Sequence, residues 1–197
     1  MMVLQTVTTP HGELQIAQAE PADLAGVIGV FDDVVAWLVA QGSVKQWGTA
    51  PFSDNPRLVE RFQEHIANDT TLVALQEEKV VGVLCVNCSY PPYCWQDAPD
   101  DCAYVHPFAT SPTVRGQGVG SVLLRCAEEY ARRHNKPYLR LDCFAENPKL
   151  LAYYESEGFL SKGEFQVGDW HGRMYEKPVG GLGGTHLLGR RRKRRKV

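Results

Sequence analysis

Thr110-Ser111-Pro112-Thr113-Val114-Arg115-Gly116-Gln117-Gly118-Val119-Gly120 is the stretch of this chain whose residue types point most directly to chemistry. Glycines at 116, 118 and 120 omit the β-carbons that would hold a ligand away from the backbone. A helical pattern opens at Val119, so the free N–H groups and positive dipole end of its first turn point to the same place. Amides gathered in this way suit an anion, most naturally a pyrophosphate. Arg115 either adds a charge or covers the loop.

Three kinds of phosphate loop compete for this segment. A nucleoside triphosphate loop needs Gly-Lys-Ser/Thr at its end, whereas Gly120 is followed by Ser121 and Val122. A dinucleotide fingerprint would put its third glycine at Ser121 and begin directly after a strand, but Ser111 to Arg115 intervene. The third kind, Arg-x-x-Gly-x-Gly, is met by Arg115, Gly118 and Gly120. Downstream, Asn147, Ala152, Tyr154 and Gly158-Phe159 form a second spaced segment. Together the two segments resemble the acyl-CoA loop and the Asn…Tyr…Gly-Phe helix of the GNAT superfamily of N-acetyltransferases, over about residues 103–165.

The resemblance implies an α/β fold. Its sheet is mixed, mostly antiparallel and six- to seven-stranded, with a splayed central strand pair and about four flanking helices. It implies acetyl-CoA as cosubstrate and a direct transfer to a primary amine in a ternary complex. Phe108, Ala109 and Thr110 would offer main-chain groups to the pantetheine arm. Arg115, Gly116, Gln117, Gly118, Val119, Gly120 and Ser121 would hold the diphosphate, and Asn147 would cap a helix and touch the arm. Tyr154 matches the family's tyrosine and would both contact the cofactor and protonate the departing sulfur. Tyr153 lies about 100° away around the helix, so the two cannot face one sulfur. An acyl-CoA-binding regulatory module without transfer is the rival reading.

The acceptor must also lose a proton. His106, two residues before Phe108, is the first candidate for a base or water relay, beside the plainer reading of a hydrogen-bonded strand histidine. Glu60, Glu64, His65 and Asp101 are further candidates. Cys143, at a strand end, is the one thiol to test for an acyl-enzyme. Trp37 reads as core and Trp95, in a loop with Pro91, Pro92 and Pro99, as a substrate contact.

These residues need a scaffold, and the chain supplies one. Glu13 to Ala19 alternates as a strand; Asp23 to Ala40 is one amphipathic helix or two joined near Gly29; Asn55-Pro56 opens a second helix through about Ala67. Thr71–Gln76 and Lys79–Asn87 read as a hairpin, and Ala103–Thr110 as a strand disturbed by Pro107. A helix then runs from Val119 to about His134, a strand from Pro137 to Cys143, and a short helix from Asn147 to Gly158. Phe159–Val167 and His171–Lys177 close the order, which by itself implies an α/β sandwich around a partly antiparallel sheet. The acetyltransferase domain is taken as 1–178, with a flexible Gly-rich and basic tail at 179–197.

Composition bounds the rest. With 44% hydrophobic and 22% charged residues in 197, the chain has the balance of a globular domain. Seven basic residues crowd into 190–196; without them 14 basic residues face 23 acidic ones, a charge of −9. An acidic body argues against a nucleic-acid-binding face and leans towards a cationic small-molecule amine. The basic tail is either a solvated run, an import-type signal or the one segment that could meet nucleic acid. A homodimer is allowed, and the absence of a signal-type leader or apolar run points to the cytoplasm without membrane contact. Cys85 and Cys88 have Cys-x-x-Cys spacing, but no second tight pair follows and Cys85 lies in an apolar run, so no metal is expected.

Overall fold

The computed structural model describes residues 2–91, 93–95 and 99–180. Its framework is an eight-stranded sheet in the order β1-β2-β3-β4-β5-β6-β8-β7. The strands are β1 (Val3–Thr9), β2 (Gly12–Gln18), β3 (Thr71–Gln76), β4 (Lys79–Asn87), β5 (Cys102–Thr110), β6 (Tyr138–Phe144), β7 (Leu160–Val167) and β8 (Trp170–Pro178). Four helices flank them: α1 (Leu24–Ala40), α2 (Pro56–Ala67), α3 (Val119–Arg133) and α4 (Pro148–Ser156). All neighbouring strands run antiparallel except β5 and β6.

The expected six to seven strands are thus eight, and the additional one is β1. Its residues are mostly exposed on both faces, so no apolar alternation marks it. It is held instead by backbone pairing to β2, from Val3↔Ala17 to Thr9↔Gly12. Asp23 to Ala40 forms one helix, α1, without a break at Gly29.

Period-two alternation divides the sheet between two cores. Val73, Leu75, Val83, Cys85 and Ala109 face α1 and α2, packing with Val27, Phe31, Phe62 and Ile66. Leu72, Ala74, Leu84 and Val86 face the other way, against Leu123, Leu124 and Ala127 of α3. Leu123 and Leu124 are fully buried, so truncating either to alanine would cost about 2–5 kcal/mol. Cys85, of the Cys-x-x-Cys pair, is buried in the first core with its sulfur 3.4 Å from Thr71 Oγ1.

Two features of this scaffold prepare a cleft. First, α4 starts sharply because Asn147 caps it: its Oδ1 accepts from Leu150 N at 3.2 Å, ahead of Pro148. Second, β5 and β6 pair only from Cys102↔Tyr138 to Val105↔Leu141. Beyond that, β5 stays on β4 through Gly82↔Thr110, while β6 stays on β8 through Phe144↔Gly172. The two central strands therefore part after residues 105 and 141, as expected.

The folded body runs slightly past the expected boundary at 178. Val179 is buried, its N–H donates to Pro137 O at 2.9 Å, and its carbonyl accepts from Arg132 Nε at 2.8 Å. The expected Gly-rich and basic tail lies, from residue 181 on, outside the described residues. No helix among the described residues is long and apolar enough to cross a membrane.

Candidate active site

A cavity of about 630 Å³ opens where β5 and β6 part. One side of it is the segment Ser111–Ser121. Ser111 caps a short 3-10 turn over Pro112–Val114, and Gly116 and Gly118 both adopt φ +77°, a conformation that favours glycine. Gly118 is the N-cap of α3, whose first long bond runs from Val122 N to Gly118 O at 3.1 Å. The amides of the first turn of α3 therefore have no acceptor within the helix, and the helix dipole adds partial positive charge there. A β-carbon on Gly118 would meet open space, so the space beside the turn is free for a ligand.

Gly120 is glycine for another reason. A β-carbon there would come within 2.5 Å of the Tyr153 hydroxyl and 3.3 Å of Phe108. Its smallness admits Tyr153 rather than a ligand. The Tyr153 hydroxyl is buried, and burial pushes its phenol up to about 12. Ser121 turns its hydroxyl to Glu157, at the end of α4. Arg115 stacks its guanidinium 4.9 Å above the Trp37 ring and so ties the loop to α1.

Of the residues expected to hold the cofactor, Phe108, Ala109, Thr110, Arg115, Gly116, Gly118, Val119, Gly120, Ser121, Asn147 and Tyr154 all line this cavity. Gln117 does not; its side-chain amide bends back to the Thr113 carbonyl at 3.5 Å. Asn147 does more than cap α4, because its Nδ2 donates to Gln46 Oε1 at 3.0 Å and joins α4 to the segment between α1 and α2.

Tyr154 is 6% exposed, with Phe159 and Tyr175 rings 5.9 and 5.8 Å away. Burial holds its phenol well above the usual value of 10, so it stays a proton donor at neutral pH. Cys143, beside it, is buried, and burial and the neighbouring Asp142 push the thiol up to about 12. A thiol so protonated is a poor nucleophile.

His106 also lines the cavity, with its side chain 33% exposed and Nδ1 3.9 Å from Asp142 Oδ1. Burial holds its imidazole below the usual 6.5 against the opposing pull of Asp142, and Arg61 adds to the lowering. The other proposed bases lie off the cavity. Glu60 and Glu64 are exposed, and Asp101 pairs with Arg140 at 3.0 Å. His65 bonds Thr70 Oγ1 at 3.0 Å, and burial, Arg61 and His106 lower it to about 4.

The tryptophans exchange the places expected of them. Trp37 lines the cavity, whereas Trp95 is 7% exposed and packs under Arg140, whose Cζ lies 4.8 Å from its ring. Trp47, Phe144 and Trp170 add further aromatic lining. Trp170 Nε1 donates to Gln46 O at 3.1 Å, and its ring lies 6.1 Å from Phe144. Trp170, Gln46 and Phe144 sit on three segments far apart in sequence, and no local spacing joins them.

Comparison with known proteins matches this geometry. The family model described as Acetyltransferase (GNAT) family matches residues 31–159. The "Uncharacterized N-acetyltransferase YesJ" of Bacillus subtilis (strain 168) is 26% identical over 162 residues, covering 80% of this chain and 86% of that protein. Among solved structures, a GNAT-family acetyltransferase from Listeria monocytogenes 4b F2365 superposes with a TM-score of 0.68 at 21% identity, over 88% of this chain and 99% of that one. The PaiA N-acetyltransferase of Thermoplasma acidophilum, solved in complex with coenzyme A, gives 0.66 at 16% identity, over 84% and 98%. A strand pair parting over a glycine-bearing helix start, within a matched stretch that spans most of the folded body, has one consistent reading: this chain belongs to the GNAT acetyltransferase family and is an enzyme that uses acetyl-CoA.

Proposed function

We propose that this enzyme acetylates the primary amine of a small molecule by direct attack in a ternary complex. The observation that carries the reading is the continuity of the cavity. The amide cradle at Gly116–Ser121, the unpaired edge of β5 and the aromatic chamber around Trp170 all open into the same space. Bound acetyl-CoA supplies an activated acyl thioester; the rest falls to residues of the chain.

The amides of Gly118 to Ser121, with Arg115 nearby, would bind the diphosphate through dipole and charge. Phe108, Ala109 and Thr110 present main-chain groups where β6 has left β5, and an N–H there would stabilise the developing oxyanion. Tyr154 is protonated and lines the same space, which fits delivery of a proton to the leaving sulfur. His106, neutral at pH 7, is the group to receive the amine's proton. The protonated Cys143 thiol favours direct attack over an acyl-enzyme.

The chamber offers the acceptor Trp47, Phe144 and Trp170 as walls and Asp142 as a buried carboxylate. Such a lining suits an amine with an apolar or aromatic body better than one bearing several charges. Thiol release from acetyl-CoA across a panel of aliphatic, aromatic and polycationic amines tests this. Release with a hydrophobic primary amine, following ternary-complex kinetics, supports the reading. Ping-pong kinetics, or stabilisation by acetyl-CoA with no release on any amine, contradicts it.

A further inference from the structure

Asp142 is the buried anion of the cleft. It sits on β6 just past the last pairing with β5, its side chain is 3% exposed, and it lines the cavity. A carboxylate taken out of water at this depth needs hydrogen-bond donors around it. One is the Tyr104 hydroxyl, which donates to Oδ1. Tyr104 is 2% exposed and lies two residues before His106 on β5, where the register against β4 shifts between 105 and 108, and both side chains approach the same Asp142 oxygen. Its hydroxyl also lies 3.7 Å from Cys94 Sγ, and burial and Asp142 hold its phenol far above the usual value. Among the described residues His106 Nδ1 also faces Oδ1, at 3.9 Å. Movement of about 1 Å brings that separation into hydrogen-bond range.

We propose that Asp142, itself held by Tyr104, is the positioning residue for His106: it accepts the Nδ1–H, leaves Nε2 as the basic atom towards the acceptor, and stabilises the imidazolium that forms. This rests on the reading of His106 as the base. The balance is complete. The acceptor nitrogen forms its bond to the acetyl carbon and passes a proton to Nε2, while the carbon–sulfur bond breaks and the sulfur takes the Tyr154 proton. His106 then releases a proton to water and Tyr154 regains one, leaving amide and thiol.

The groups around His106 make the role specific to Asp142. From α2 it is faced by Arg61 and His65, from its own strand by Tyr104, and from β6 by Asp142, whose field also reaches Tyr93, Cys94, Cys143 and Tyr154. Among these described groups Asp142 is the carboxylate.

The test needs no acceptor. Imidazole Cε1–H signals of the full chain are titrated by NMR, with His106→Gln assigning the His106 resonance. Removing the negative charge in Asp142→Asn should lower the His106 midpoint by about half a pH unit or more. Tyr104→Phe frees the carboxylate and should raise it, so the two variants move in opposite directions. An unchanged or raised midpoint in Asp142→Asn overturns the proposal, as does an equal shift of His65, which signals general disturbance. If Asp142→Asn does not fold, Tyr104→Phe decides: a rise supports the proposal, no change or a fall overturns it. With an amine that releases thiol, Asp142→Asn should lower kcat about tenfold with the acetyl-CoA KM unchanged. Full turnover by His106→Gln would defeat the base assignment instead, and the titration reads the coupling apart from it.

Discussion

The wall of the cleft assigned to the diphosphate is drawn from one unbroken stretch, 111–121, whereas the wall assigned to the acceptor is assembled from α1, the segment after it, β5, β6 and β8. The first works mainly through main-chain groups in a set conformation: Gly116 and Gly118 at φ +77° and a helix start whose first amides have no acceptor within the helix. The second works through side chains brought together by the fold, such as Trp170 bonding the Gln46 carbonyl. A backbone device tolerates little change at a few positions, and a side-chain chamber spreads its function over many. Variants on the two sides should therefore separate acetyl-CoA binding from acceptor recognition.

The largest effect is expected at Gly118. Aspartate tolerates the left-handed conformation better than most residues, and its β-carbon meets open space, so Gly118→Asp should fold. Its carboxylate would face the diphosphate, and acetyl-CoA affinity by calorimetry should fall about 100-fold or more, ~3 kcal/mol. Normal binding would make the loop merely structural. Tyr154→Phe should lower kcat by about 100-fold while leaving acetyl-CoA affinity within about twofold, because only proton delivery is lost. Unchanged turnover removes Tyr154 from the chemistry.

Gly120→Ala sharpens the contrast within the loop. Its new methyl meets the Tyr153 hydroxyl, so the loss should be about 1–3 kcal/mol in urea unfolding. Tyr153→Phe in the same chain should restore part of it; no restoration would place the conflict elsewhere. On the acceptor side, Trp170→Ala should raise the KM for a hydrophobic amine about tenfold with the acetyl-CoA KM unchanged. A change in the acetyl-CoA KM alone would erase the division between the two walls.

The smallest effect concerns α2, which supports the acceptor side. His65 is lowered to about 4 from 6.5, so the folded state resists its protonation. Its contribution to stability is full above pH 6.5 and is lost as the pH falls from there towards 4. His65→Gln should flatten the loss between pH 7 and pH 5 by about 1 kcal/mol, allowing for its partial exposure. An unchanged slope would show that this imidazole is not held neutral by the fold.

The same contrast explains what the sequence made legible. Gly118 and Asn147 announce themselves because a left-handed N-cap and a helix cap each demand particular residue types at particular places. The parting of β5 and β6 followed from the resemblance those residues carried. β1 stayed hidden because an edge strand held by backbone pairing needs no apolar face. Trp37 and Trp95 were exchanged because a helical period shows that Trp37 is partly buried but not that a cavity lies beside it, and a proline-bearing loop carries no sign that Arg140 covers Trp95. Asp142 carries no signal of its own in the sequence, since its meaning depends on Tyr104 and His106 across the sheet.

The most direct measurement is a crystal structure of the chain with coenzyme A bound. The expected result has the diphosphate accepting hydrogen bonds from the amides of Gly118 to Ser121, the pantetheine arm along Phe108–Thr110, and the sulfur beside the Tyr154 hydroxyl. A diphosphate seated away from the start of α3, or a sulfur remote from Tyr154, would contradict it.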